Sequence, residues 1–193
     1  MRFAILCLLS FLVQPQMSHA QAPDFTVSAA ESSIRFSVKS SVALHGKFDK
    51  WNATLTFPSA DVTTGVLSIQ IDAATVDTGS GMKNNKLKGK DFFDVEHYPS
   101  ITFQSTKVVQ TSPITFDVDG NFSIRGVTRL EKLKLTIPDK RTGTDEIQGE
   151  LVFNRKHYGM NKGIPFVKIE DHVQVTINLK VRQVSGPRLM YRQ

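Results

Sequence analysis

Four ionisable side chains, Asp91, Asp94, Glu96 and His97, lie within seven residues of one another around the pair Phe92-Phe93. Two carboxylates with an imidazole beside them have the makings of an acid/base pair, so an enzyme acting on a lipid would work through Asp91, Asp94 or His97. Aspartates at a helix-to-strand turn more commonly accept backbone N–H groups. A hydrolase also needs a nucleophile on a strained turn, and the chain has no Gly-x-Ser-x-Gly. His45, His97, His157 and His172 have no second ligand type at a metal-site spacing. Gly79-Ser80-Gly81 is a turn signal, not a phosphate loop. These residues point to no catalysis, no metal and no cofactor, and leave apolar surface as the chemistry on offer.

The elements that carry this surface are strands. Apolar residues alternate at Ile34, Phe36 and Val38, at Leu67, Ile69 and Ile71, at Leu133, Leu135 and Ile137, and from Val173 to Val181. Period-two alternation with polar partners marks antiparallel strands that have one dry face. Further strands fit 47–57, 101–110, 114–125 and 146–157. About eight strands at short intervals, with one helical candidate at 81–89, predict an all-β, closed or nearly closed antiparallel barrel. The aromatic corner Phe92-Phe93 to Tyr98-Pro99 is too bulky to leave in water, so it folds under the apolar end of that barrel. Leu87 turns the short helix toward this corner as a lid or wall.

A barrel of this size is filled by side chains or holds one ligand, and composition alone does not separate the two. Phe36, Phe57, Phe103, Phe116, Phe122 and Phe153 sit at inward phases that suit either. Gly120 and Gly149 fall in phase with the apolar faces of their strands. Each reads as strand curvature or as room left inside the barrel.

The first residues read as a secretory signal: Arg2, an apolar run from Phe3 to Val13, then Ser18-His19-Ala20 before a cut near Ala20. The run is too short to span a bilayer, which takes about 20 residues. Cleavage removes Cys7, the only cysteine, so stability rests on the core. The expected organisation is a signal peptide at 1–20, a barrel at 21–184 and a flexible tail at 185–193. The net charge of +6 is spread over scattered lysines and arginines. It suits a solvated surface, or a transient contact with a membrane surface. Export disfavours nucleic acid. An exposed edge between the first and last strands would allow a homodimer.

The order and spacing of several pieces carry a more specific signal. Leu87-Lys88, Asp91-Phe92-Phe93-Asp94, Tyr98-Pro99 and Thr102-Phe103 are followed by Gly120 to Thr128. Ser33 to Lys39, Gly46-Lys47-Phe48, Tyr158-Gly159-Met160 and Asp171-His172-Val173 complete the set. In this order the chain resembles the YceI-like family of lipid-binding proteins over nearly its whole mature length. The resemblance implies an extended lipocalin-like barrel, periplasmic or secreted, whose interior holds a polyisoprenoid, the tail of an isoprenoid quinone or a similar long-chain lipid for sequestration or transport. It makes Phe36, Val38, Leu55, Phe57, Ile69, Leu87, Phe92, Phe93, Phe103, Phe116, Phe122 and Phe153 the expected wall. His45, Lys83, Asn84 and Lys86 are the expected neighbours of a polar head. Family members often carry histidine where Ser32 and Ser40 stand, and an Arg-Asp pair followed by histidine where Lys83, Asn84 and Lys86 stand. A dry-cored barrel acting as a protein- or membrane-interaction scaffold is the alternative from the residues themselves.

Overall fold

The computed structural model describes residues 22–138, 144–163 and 166–192; the expected signal peptide lies outside them. The strands are β1 (Asp24–Ser40), β2 (Leu44–Phe48), β3 (Trp51–Thr56), β4 (Val66–Asp72), β5 (Val76–Asp77), β6 (Ser100–Gln110), β7 (Thr115–Ile124), β8 (Val127–Thr136), β9 (Thr144–Asn154) and β10 (Ile169–Ser185). One short helix, α1 (Gly81–Lys88), precedes the aromatic corner. Strands β10-β9-β8-β7-β6-β4-β3-β1 neighbour one another in that order, and β1 returns to β10, which closes an eight-stranded antiparallel barrel. Strands β2 and β5 extend the sheet beside β1 at the helix end.

The alternation seen in the sequence faces inward as expected. Ile34, Leu67, Ile69, Leu133, Ile177 and Leu179 are buried in one continuous core. Strand β1 starts far earlier than its sequence pattern indicates, because a wide bulge at 29–32 shifts its inward phase from Phe25 and Val27 to Ile34 and Phe36. Ser32 holds that bulge. Its hydroxyl donates to the Ser28 carbonyl at 2.6 Å and accepts from the Lys180 N–H at 2.8 Å, which replaces the ladder bond that the bulge removes. The stretch 47–57 is two strands, broken at Asp49-Lys50.

Gly120 lies opposite a second bulge, at Ser105 to Lys107. A Cβ there would stand 2.4 Å from Cζ of Phe103, so the Phe103 ring occupies the space that the missing side chain leaves. Gly149 is likewise covered, by Leu133, Leu135 and Ile177. Both glycines serve curvature and packing, and neither opens room for a ligand. The β7–β8 hairpin turns through Arg125 (φ 53°) and Gly126 (φ 71°), a two-residue connection with two left-handed residues whose twist matches the strands it joins. Phe92 and Phe93 are buried at the corner as expected, whereas Tyr98 is 38 % exposed and lies against Gly126.

Two expectations from the sequence differ from the structure. The edge between first and last strands is closed, since β1 and β10 pair from Asp24↔Ser185 to Val38↔Val173 and on to Ser40↔Ile169, so it offers no homodimer surface. Residues 186–192, read as a flexible tail after Ser185-Gly186-Pro187, are docked across the barrel end opposite the helix. The Met190 N–H donates to Ala60 O at 2.7 Å, Val62 N–H donates to Met190 O at 3.3 Å, and Gln110 holds both backbone groups of Arg192. Leu189 and Tyr191 pack on the core, with Tyr191 against the Phe116 ring at 6.2 Å. Two apolar residues at alternate positions are enough to make this segment a strap over the closed end.

Candidate functional site

The helix end of the barrel contains an apolar cavity of about 70 Å³, lined by side chains of β1, β2, β4, α1, the aromatic corner, β6, β7, β9 and β10. Its exposed wall is wholly apolar. A second apolar cavity of about 20 Å³ lies deeper, and Ile71, Ile101, Phe122 and Val175 border both. The interior is therefore neither fully packed nor one continuous tunnel. Because one water needs roughly 10–15 Å³ of such space, the larger cavity has room for a few small groups, not for a long chain.

Of the expected wall, Phe36, Val38, Leu87, Phe92, Phe93, Phe122 and Phe153 line the larger cavity, and Ile69, Phe103 and again Phe122 line the smaller. Leu55, Phe57 and Phe116 line neither. Their phases are inward, but they lie toward the closed end, where Phe57 packs on Phe25 at 5.2 Å and Phe116 on Tyr191. Among the lining residues that sequence reasoning missed are Leu44 and Phe48 at the two ends of β2, Met160 after the turn that follows β9, and Ile169 at the start of β10. Their alternation is too short to show a phase, and only closure of the barrel brings them to one place. Phe36, Phe48 and Phe93 form a cluster of tilted and edge-on rings with centroids 5.6 to 6.4 Å apart.

The residues expected near a polar head do not line the cavity. His45 is exposed on β2 and borders a shallow groove outside the barrel. Lys83 donates to Ala43 O at 2.9 Å. Asn84 accepts from the Thr78 N–H and hydroxyl at 2.8 and 2.7 Å, fastening α1 to the loop before it. Lys86 pairs with Asp91 at 2.7 Å and lies 5.8 Å from the centre of the Phe92 ring. These contacts give Lys83, Asn84 and Lys86 structural duties that their spacing did not reveal.

The polar residue that reaches the cavity is Arg155, which is buried. Its Nε donates to Glu170 O, its Nη1 to the carbonyls of Met160 and Lys162, and its Nη2 to the Asp171 carboxylate at 3.2 Å. Arg155 thereby pins residues 160–162 and the start of β10 beside the cavity. Lys156, hydrogen-bonded to Asp171 at 2.8 Å, and then the nearby Arg155 hold that carboxyl below its ordinary range. Nearby, Arg125 donates from Nη1 to Gly159 O at 2.6 Å, while its buried Nε has no hydrogen-bond partner among the described residues.

Among the described residues, strands β8 and β9 pair from Leu133↔Leu151 to Thr136↔Gln148. Toward the helix end they diverge, leaving 127–132 of β8 and 152–154 of β9 without a mutual ladder. Tyr158, fully buried on the turn after β9, fills the space behind this split. Its ring packs on Phe122 and Phe153 at 5.5 and 5.3 Å, and its hydroxyl donates to Glu131 at 2.7 Å. Burial, reinforced by the Glu131 carboxylate, pushes the phenol well above its ordinary range, so it stays protonated as a donor.

The catalytic candidates are otherwise engaged. The ammonium of Lys86 holds the Asp91 carboxyl below its usual range. Asp94, left-handed at φ 52°, contacts the His97 ring at 2.9 Å and raises its pKa. The Asp94 backbone carbonyl accepts the N–H groups of His97 and Tyr98, so the turn is closed by backbone, while the carboxylates of Asp91 and Asp94 meet Lys86 and His97 instead of the backbone N–H groups expected from the sequence.

Residues 25–181 match the YceI-like domain. The chain belongs to the YceI-like family. Among characterised folds it is similar to Burkholderia cenocepacia BcnA, at 28% identity and a TM-score of 0.73, over 81% of this chain and 99% of that one. A polyisoprenoid binding domain from Saccharophagus degradans, described as implicated in plant cell wall breakdown, shares the fold at 17% identity and a TM-score of 0.66, over 86% of this chain and 99% of that one. A UPF0312 protein of Pseudomonas savastanoi pv. phaseolicola is 32% identical over 93 residues, 48% of either chain. The chain thus spans about half the length of such relatives. In this YceI-like barrel the aromatic corner and the β7–β8 hairpin, the two segments most telling in the sequence, both border the same end of the interior.

Proposed function

We propose that this YceI-like barrel binds the hydrocarbon chain of a polyisoprenoid or isoprenoid quinone and holds it for sequestration or transport, in the periplasm or outside the cell after cleavage near Ala20. The observation that carries this reading is the cavity at the helix end, whose exposed surface is apolar and whose lining includes seven of the expected residues. A prenyl chain needs no polar partner there, since each buried CH₂ is worth about 0.8 kcal/mol. Family membership and the polyisoprenoid-binding neighbour support a binding protein over an enzyme.

A long chain does not fit the present space, so uptake requires rings to turn. Phe122 stands between the two cavities, and its rotation would join them. The tilted contacts of Phe36, Phe48 and Phe93 are each worth about 0.5–1.5 kcal/mol, within reach of replacement by ligand hydrocarbon. Transient contact with a membrane surface is served at this end by exposed Met82 on α1, with Lys90 and Lys162 both close enough to act on Asp91.

The small cavity volume favours a second reading, a dry-cored scaffold. The deciding experiment is native mass spectrometry of protein purified from a bacterial periplasm, followed by organic extraction. A species of isoprenoid mass released on denaturation supports the carrier. Apo protein that also refuses added prenyl lipids leaves the scaffold.

A further inference from the structure

We infer that the split between β8 and β9 is the portal through which a ligand chain passes sideways into the barrel, with Tyr158 as its movable plug. This rests on the carrier reading and adds the route and the residue that guards it.

Among the described residues, both ends of the barrel are crossed by segments tied down by several bonds each. The closed end carries the strap at 186–192, held to Ala60, Val62 and Gln110. At the helix end, Phe93 N–H donates to Leu87 O, Lys83 fastens α1 to Ala43, and Arg155 pins residues 160–162 through two carbonyls. The wall is paired along most of its circumference: β7 pairs with β8 from Thr115 to Ile124, and β9 with β10 from Thr144 to Asn154. Among the described residues the β8–β9 ladder is four pairs long. The β1–β3 junction is also short, but there the Phe25 and Phe57 rings meet and β1 is held along its length by β10.

What fills the β8–β9 split is a side chain from a turn, not backbone. Tyr158 is anchored across it by one hydrogen bond, to Glu131. Its other neighbours across the space, Phe122 and Phe153, line the larger cavity, so displacing one ring connects that cavity to the split. Leu130 and Val152, 67 % and 48 % exposed on the two diverging strands, give the outer lip an apolar surface that a hydrocarbon chain can touch before it enters. Glu131 and its neighbour Arg129 keep the lip polar enough to retain a head group outside. An unpaired stretch of wall, a plug on one bond, and a cavity directly behind it are what lateral passage needs, and they coincide here.

The test compares uptake rates of all-trans-retinol, a small isoprenoid alcohol, followed by its fluorescence, in a chain whose single cysteine is changed to serine (Cys7→Ser). Lys132→Cys with Val152→Cys places thiols at facing positions one step beyond the last paired residues, and a short bismaleimide bridges them. Lys134→Cys with Glu150→Cys, a pair already within the ladder, is the control. Bridging the first pair is expected to slow uptake at least tenfold, while bridging the control changes it less than twofold. Tyr158→Phe, which keeps the ring and loses the bond, is expected to speed uptake and release about three- to tenfold with little change in affinity. Equal rates in all bridged and unbridged proteins, with normal binding at equilibrium, would overturn the portal. Failure of the unmodified chain to bind retinol or a longer prenol at equilibrium would overturn the carrier reading beneath it.

Discussion

Phe122 and Phe116 are both buried, 6 % and 2 % exposed, and both sit at inward phases of β7, yet only Phe122 borders the two cavities. Truncating either ring to alanine is expected to cost about 3–5 kcal/mol, a large share of the about 5–15 kcal/mol that holds a typical domain folded. The consequences then part. Phe122→Ala joins the 70 and 20 Å³ spaces and adds the volume of the lost ring, all with apolar walls. A prenyl alcohol should fill that void, and ligand at 100 times its Kd returns about 2.7 kcal/mol, most of what the truncation removed. Phe116→Ala loosens the contact with Tyr191 at the closed end and leaves the cavities as they were. Urea denaturation with and without farnesol therefore gives a larger ligand-induced midpoint shift for Phe122→Ala than for the unaltered chain, and an unchanged shift for Phe116→Ala. Should either alanine variant fail to fold, the leucine pair makes the same comparison at lower cost. Equal shifts for both variants, or loss of binding in Phe122→Ala alone, would refute the view that this ring partitions the interior.

Three further outcomes follow from the geometry. Gly120→Ala drives a Cβ into the Phe103 ring and should destabilise by about 1–3 kcal/mol in a melt, a loss that Phe103→Leu partly relieves; additive effects would show that the ring is not what excludes the side chain. Removing residues 188–193 breaks the backbone bonds to Ala60, Val62 and Gln110 and should cost about 2–4 kcal/mol in urea denaturation, whereas an unattached tail would cost nothing. His97, whose pKa Asp94 raises above the ordinary value of about 6.5, should titrate above that value by NMR and return to it in Asp94→Asn. The sign is set by linkage: the Asp94–His97 contact stabilises fully below the unfolded imidazole value and is lost as pH rises through the higher folded one.

What local order could say, the sequence said. A side-chain period of two puts Leu67, Ile69 and Ile71 on one face whatever the partner strands are, so the barrel class and most of its inner face were legible. The corner at Phe92-Phe93 was legible for a similar reason, because two adjacent rings must leave water wherever the chain goes. The resemblance named the family before any contact was known, and the match over residues 25–181 agrees with it.

What only the tertiary structure decided were relations between distant residues. Period two says that Phe57, Phe116 and Phe122 face inward; it does not say at which height along the barrel, and height is what separates cavity wall from packed end. An odd number of extra residues at 29–32 reversed the phase of β1, which Ser32 makes tolerable through a bond to Lys180, far along the chain. Gly120 reads equally well as vacancy or as bend until Phe103 is seen lying over it. Lysines and an asparagine near a mouth look like ligand contacts until their partners, Ala43, Thr78 and Asp91, are found in the protein itself. The split between β8 and β9 leaves no trace in either strand's pattern, because the alternation of one strand carries no record of how far its neighbour stays beside it.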